Sequence, residues 1–214
     1  RIIMGSMHTG LEDVPDAAER LAAYFVDRVK GGVGMIITGG IAPHATGGVG
    51  AKLSEPSEVP LHRHVTDAVH AADPDVKICM QILHTGPLAG TPDCVAPSPV
   101  KSRIGAYVPR ELDEAGIEEM IAAFANCAKL AREAGYDGAE IPMFGGDPAH
   151  FEKVRGWLSE AGLAATGVGV MPGNGKDAIS PDPAERAGAP DHLKGLVGIA
   201  AALGADLVCG PLHQ

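Results

Sequence analysis

Aromatic residues are scarce in this sequence: Phe, Tyr and Trp make up 4% of its 214 positions. A core built with so few rings is filled by Ala, Val, Ile and Leu, packed through short elements. Positive charge is in deficit as well, with 17 Lys and Arg against 27 Asp and Glu, for a net charge of -10. An acidic surface repels phosphate backbones and anionic lipid, so nucleic acid and membrane surfaces are excluded as expected partners. The longest apolar runs, such as Gly34 to Gly40, fall far short of a bilayer span. Cys79, Cys94, Cys127 and Cys209 are widely spaced and form no Cys-x-x-Cys pair. With no signal peptide, a reducing cytoplasm is the expected setting, and Cys79 and Cys209, in apolar runs, read as core residues.

Gly (29) and Pro (17) are plentiful, and 45% apolar with 21% charged residues is the balance of a globular chain with one sizeable core. The chain opens at Arg1 inside an apolar run and closes at Gln214 just after another, so both ends read as cut. Between them strands and helices alternate. Arg1 to Met7 reads as a buried strand. Asp16 reads as the N-cap of a helix with Glu19 as capping-box partner, Leu21, Phe25 and Val29 on its inner face, and Gly31 and Gly32 as its stop.

Met35 to Thr38 is a second strand followed by Gly39 and Gly40 as turn residues and, further on, a Gly-rich loop over Thr46 to Gly50. A helix over Glu58 to Ala72 buries Leu61, Val65, Ala68, Val69 and Ala72, and Val76 to Leu83 is the third strand. A proline-rich loop, His84 to Leu112, is long enough to expect function in it. Asp113 opens the longest helix, with Ile117, Ile121, Phe124, Ala128 and Ala131 on one stripe, and Asp137 to Ile141 is the fourth strand. Asp147 with Pro148, then Asp182 with Pro183 and Glu185, start two further helices; Ala165 to Met171 and Asp206 to Cys209 are the last strands. Pro190 disturbs the first turns of the second helix, which runs to Leu203. Apolar strands alternating with helices mean an α/β fold with a parallel sheet, of the (β/α)8 TIM-barrel type. A full barrel takes about 250 residues, and this chain supplies six strands, so the barrel is incomplete.

Two motifs fail on inspection. Gly173-Asn174-Gly175-Lys176 lacks both the first glycine and the Ser or Thr of a phosphate loop, since Val170 and Asp177 stand there. His62, His64 and His70 cannot easily share one metal ion on a helix and read as a solvated face. What remains lies at the carboxyl ends of the first three strands, where a parallel barrel builds its site: Ser6, Met7 and His8, then Gly39 and Gly40, then Gln81 and His84. An amide within an apolar strand must be satisfied. Gln81 is either a paired core residue or a hydrogen-bonding partner for a flat ring lying close over the glycines.

The runs Met4-Gly5-Ser6-Met7-His8-Thr9-Gly10, Ala18-Glu19-Arg20-Leu21-Ala22, Thr38-Gly39-Gly40-Ile41-Ala42-Pro43 and Gln81-Ile82-Leu83-His84-Thr85-Gly86 resemble the old yellow enzyme family. The nearest likeness is to its bacterial 2,4-dienoyl-CoA reductases. Val95-Ala96-Pro97-Ser98 and the helix end Leu130 to Gly138 continue it, so it covers residues 1–141. The resemblance implies an FMN-binding barrel that passes hydride from NAD(P)H to an activated alkene, a small-molecule substrate. It further implies that Ser6, Met7 and His8 line the flavin, Gly40 packs near it and Gln81 bonds the ring.

After Ile141 the family pattern continues with a proton-donating Tyr or a His pair, whereas this chain reads Pro142-Met143-Phe144-Gly145-Gly146-Asp147. No catalytic donor is assigned, and the family's phosphate-binding loops have no counterpart. Gly135 to Pro142, Ser180-Pro181-Asp182-Pro183 and Ala200 to Ala205 instead resemble sugar epimerases of the xylose-isomerase-like barrel class, over residues 136–214. That likeness implies a divalent metal, with ligands from later strands; Glu140 lacks partners and is not assigned as one. The expectation is a hybrid of a flavin-oxidoreductase-like half barrel, residues 1–141, and an epimerase-like segment, residues 142–214, packed as one continuous domain. Two rivals stand beside a flavin reductase: a metal-dependent sugar isomerase, and a non-catalytic fragment that covers its open sheet edges by pairing with other copies.

Overall fold

The computed structural model describes residues 2–48 and 50–210. Arg1 and Val49, read above into the first strand and the Gly-rich loop, and residues 211–214 lie outside the described residues. The chain divides into two compact units, residues 1–138 and 139–214.

In the first unit β1 (Ile2–Met4), α1 (Ala17–Lys30), β2 (Val33–Ile41), α2 (Val59–Ala72), β3 (Lys77–Ile82) and α3 (Glu114–Glu133) alternate. β1, β2 and β3 pair in parallel and in that order. β1 is shorter than the expected strand, and as the edge of this order it leaves Ile2 and Ile3 exposed rather than buried. Asp16 does not cap α1: its carboxylate accepts a hydrogen bond from Arg20 Nε at 2.8 Å instead. Gly32 ends that helix at φ 91°, a left-handed conformation that glycine adopts without a Cβ clash.

Gly39 and Gly40 are not turn residues. They lie inside β2, buried, and the strand runs on to Ile41. The inner face of α2 is shifted from expectation: Leu61 is 62% exposed, while Thr66 is buried with its hydroxyl donating to the Ala134 carbonyl at 2.5 Å. The long loop after β3 is stitched rather than loose. Within it β4 (Val95–Ala96) and β5 (Arg110–Glu111) pair in parallel, and Leu112 N–H donates to Ala96 O at 3.0 Å. Asp113 caps α3 as read, accepting from Gly116 N at 2.8 Å. Apart from Gly116 in the first turn, the buried positions of that helix are Cys127, Leu130 and Ala131; Ile117, Ile121 and Phe124 are exposed.

The second unit runs β6 (Gly138–Pro142), α4 (Pro148–Glu160), β7 (Ala164–Val168), α5 (Pro183–Arg186), α6 (Ala189–Leu203) and β8 (Val208–Cys209), with strand order β6-β7-β8. Asp147 and Asp182 cap α4 and α5, each accepting from the backbone two residues on. The expected single helix after Asp182 is broken into α5 and α6, with Pro190 in the first turn of α6, where its missing N–H costs nothing. The Gly173 to Lys176 turn is closed by a carboxylate: Gly175 N–H donates to Glu185 at 2.6 Å. Among the described residues no helix is long and apolar enough to cross a membrane.

Candidate functional site

The strand ends of the first unit gather the residues singled out in the sequence. Gly40 and Gln81 are partners in the β2–β3 register. Gln81 N–H donates to Thr38 Oγ1 at 3.2 Å, and that hydroxyl donates to Gly39 O at 2.8 Å, so Thr38 bridges the two strands where their register shifts between Ile37 and Gly40. A Cβ on Gly39 would stand 2.9 Å from Met7 O and 3.2 Å from His8 Cα, so the Ser6–His8 segment lies directly against β2 here. A Cβ on Gly40 would run into the Leu83 side chain. Both glycines therefore serve close approach, by the Met7 backbone on one and by Leu83 on the other.

Ser6, Met7 and His8 are exposed, Met7 at 50%. Their segment is pinned by Glu12, which the sequence reading missed. The Glu12 side chain is only 2% exposed and accepts hydrogen bonds from Thr9 N (3.1 and 3.2 Å) and Thr9 Oγ1 (2.9 Å). Burial by itself raises its pKa, but the backbone and side-chain hydrogen bonds and nearby His8 outweigh this and hold the carboxyl below its ordinary range. His8 Nε2 stands 3.3 Å from Asp13 Oδ2 and 3.9 Å from Glu12 Oε2.

Beyond β3 a directed hydrogen-bond chain crosses between loops. Gly86 N–H donates to His84 Nδ1 at 3.0 Å, so the ring proton of neutral His84 sits on Nε2. Nε2 faces Thr46 Oγ1 at 3.2 Å, and Thr46 Oγ1 lies 2.8 Å from His44 Nδ1. That nitrogen also accepts Thr46 N–H at 3.3 Å, which leaves the hydroxyl proton of Thr46 pointing to His44. His44 Nε2 reaches Glu119 Oε1 at 3.7 Å. Burial first, and His44 second, hold His84 below the ordinary imidazole range. His84 was legible as a strand-end residue; His44 and Thr46, 38 residues or more before it in sequence, carry no spacing signal.

The three histidines of α2 are not a uniformly solvated face. His62 pairs with Tyr136 Oη at 3.0 Å and His70 with Asp137 Oδ2 at 2.9 Å, while His64 is exposed. Among the described residues no group of three or more His, Cys, Asp or Glu is placed to hold a metal ion. Cys79, Cys94 and Cys127 are buried and Cys209 is half-buried, all free thiols. Glu140, in β6, is buried.

Residues 1–146 match the NADH:flavin oxidoreductase / NADH oxidase family. The chain belongs to this family. Curated relatives include a metal reductase of Desulforamulus reducens, 36% identical over 148 residues, which are 66% of this chain and 22% of that protein. An NADH oxidase of Thermoanaerobacter brockii is 34% identical over 152 residues, 66% of this chain and 23% of the oxidase. An NADPH dehydrogenase of Listeria welshimeri is 32% identical over 123 residues, 56% and 36% of the two chains. The chain thus spans about a fifth to a third of the relatives it matches.

Among solved structures, an old yellow enzyme homologue from Zymomonas mobilis aligns with TM-score 0.71 at 19% identity, over 98% of this chain and 68% of that one. A morphinone reductase aligns with TM-score 0.64 at 17% identity, over 99% and 81%. At such identity these likenesses establish the fold: α/β, of the parallel (β/α)-barrel type, with six of its strands among the described residues.

The residues at these strand ends are polar groups of the kind that can hydrogen-bond a ring edge. The Ser6 hydroxyl and the exposed backbone of the Ser6–His8 segment offer donors and acceptors at the end of β1, and the Gln81 amide, which both donates and accepts, stands on β3 beside Gly40.

Proposed function

We propose that this chain is the flavin-binding portion of an FMN-dependent NAD(P)H oxidoreductase that reduces an activated alkene. The observation that carries the reading is the pairing of Gly40 with Gln81 on adjacent parallel strands, with the Ser6–His8 segment against neighbouring Gly39, inside the stretch that matches the family. FMN, when bound, supplies the hydride chemistry, and the protein supplies position and electrostatics. Ser6, Met7 and His8 line the ring, Gly40 packs near it, and Gln81 holds its edge in one orientation. Thr38 keeps the Gln81 backbone in register, so that the amide is presented from a fixed strand rather than a loop. A small-molecule substrate and a cytoplasmic setting go with this reading.

The decisive experiment is a visible absorption spectrum of the purified chain followed by titration with FMN. A bound flavin band, or saturable quenching of added FMN, supports the ring site. Absence of both sinks it.

A second reading concerns residues 142–214, as an epimerase-like segment joined to a flavin-oxidoreductase-like one over residues 1–141. It is favoured by the family match stopping at residue 146 and by the compact unit that begins at residue 139. Manganese- or cobalt-dependent turnover of a ketohexose would support it; inertness with both metals counts against it.

A further inference from the structure

On the helix side of β2, α1 and α2 part around a cavity of about 390 Å3, within the ~300–1,000 Å3 range of small-molecule sites. Side chains alternate across a strand. Thr38, Gly39 and Ile41 line this cavity, whereas a Cβ on Gly40 would meet Leu83, so Gly40 faces away from it. The walls are mainly apolar, with Leu21 and Phe25 from α1 and Leu61 and Val65 from α2.

The polar groups in the wall are largely spent on one another. Tyr136 Oη and His62 Nδ1 are 3.0 Å apart, and His62 Nε2 is 3.0 Å from the Lys52 carbonyl. Burial keeps the His62 ring neutral, against smaller opposing effects of the Lys52 carbonyl and Glu58. Nε2 then donates to the carbonyl and Nδ1 accepts the tyrosine proton. Lys52 Nζ is held by Glu58 at 2.7 Å. What the wall still offers is acceptor capacity on carboxylates. Glu12 stands out, its side chain buried, its carboxylate accepting from the neutral donors of Thr9 and from its own backbone N–H, and its nearest basic group His8 at 3.9 Å. With Glu12 and Glu19 in the wall and Lys52 already held by Glu58, the lining carries net negative charge, which suits a cation.

We propose that this cavity binds a small organic cation: an ammonium on an aromatic or alicyclic body, the body against Phe25, Leu21 and Val65 and the charge on Glu12. The inference stands apart from the flavin reading, although the two sites share Glu12 through its grip on Thr9.

Calorimetric titration of the full chain at pH 7 with benzylamine, and with benzyl alcohol as its uncharged counterpart, tests it without FMN. Benzylamine is expected to bind saturably and benzyl alcohol about tenfold more weakly or worse. Glu12→Gln is expected to abolish that preference. Equal affinities, no saturable binding of benzylamine, or a preference that survives Glu12→Gln would each overturn the proposal. Because Glu12 also anchors Thr9, circular dichroism checks the variant's fold. If it fails to fold, Leu61→Trp decides, since Leu61 is on the rim and 62% exposed. Lost benzylamine binding in that folded variant supports the site, and unchanged binding overturns it.

Discussion

Asp137 and Ile78 hold each other by two hydrogen bonds: Asp137 N–H donates to Ile78 O at 2.9 Å, and Ile78 N–H donates to Asp137 Oδ2 at 2.9 Å. The same carboxylate meets His70 Nε2 at 2.9 Å and Lys77 Nζ at 3.3 Å. Burial alone would raise its pKa, but the Ile78 N–H, His70 and Lys77 hold it below the usual carboxylate value. A carboxyl depressed by folding contributes stability that is full above its unfolded pKa, about 3.9, and is lost as pH falls through the folded value. Asp137→Asn is therefore expected to cost about 1–3 kcal/mol at pH 7, with the difference from the parent shrinking below about pH 4. Urea unfolding of both chains at several pH values checks this. A constant difference would contradict the ionic part of the account.

His62 and His84 act in a different pH window. Folding depresses both, by burial first in each case. Their contribution is full above the unfolded imidazole value, about 6.5, and is lost as pH falls through the lower folded values. Protonation of His84 puts a hydrogen on Nδ1, which then faces the Gly86 N–H and cannot accept it. Thermal melts are expected to fall on the acid side of about pH 6.5, before the carboxylates titrate. Imidazole NMR resonances that titrate at the ordinary value would refute the burial of these rings.

Gly47 is required by that same histidine. A Cβ there would run into the His84 ring, and Thr85 holds the neighbouring carbonyl by donating its hydroxyl to Gly47 O at 3.1 Å. Neither the ring nor the loop can retreat without breaking the Thr46–His84 contact. Gly47→Ala is expected to destabilise by about 1–3 kcal/mol, measured by urea unfolding. The neighbouring Gly48, whose added Cβ would make only an ordinary contact at 3.6 Å, should tolerate alanine far better.

Gln81→Leu keeps volume and strand propensity but removes the amide. If the ring site forms as proposed, FMN affinity should drop about tenfold, the worth of one or two hydrogen bonds to a ring edge. The backbone bond from Gln81 N–H to Thr38 is unaffected by the change, and a thermal melt of the variant separates lost FMN binding from a folding defect. A large loss of stability with unchanged FMN affinity would mark Gln81 as a core residue only.

The alternation of elements was legible because each helix carries a local signal. Asp113, Asp147 and Asp182 announce helix starts through their own side chains, and all three accept the expected backbone hydrogen bonds. Asp16 carries the same signal but has Arg20 one turn away, and the guanidinium captures its carboxylate. Gly39-Gly40 reads as a turn because glycine usually marks one; only the approach of Met7 and Leu83, distant in sequence, makes it a strand. The strand-end residues of the site were visible for a related reason, as polar residues ending apolar runs. Glu12, His44 and Thr46 were not, since their roles depend on partners that only folding brings near.

Helical periodicity was the most misleading signal, and α3 shows why. Its apolar stripe runs unbroken from Ile117 to Ala131, yet Ile117 and Ile121 are each 47% exposed while Leu130 is 2% exposed. Periodicity identifies the apolar side of a helix but cannot say how far along its length a neighbour covers it. α3 contacts β3 and α2, and its buried side chains Cys127, Leu130 and Ala131 lie toward its carboxyl end, where Thr66 and Arg63 of α2 bond the Ala134 and Glu133 carbonyls. Polar substitution should therefore separate the two ends. Ile121→Lys is expected to change stability by no more than about 0.5 kcal/mol. Leu130→Ala should cost about 2–5 kcal/mol through lost burial and the cavity left behind. Both are measured by urea unfolding of the same chain. A cost of several kcal/mol at Ile121 would mean that its half of the stripe is covered in solution, with concentration-dependent unfolding identifying a second copy as the cover.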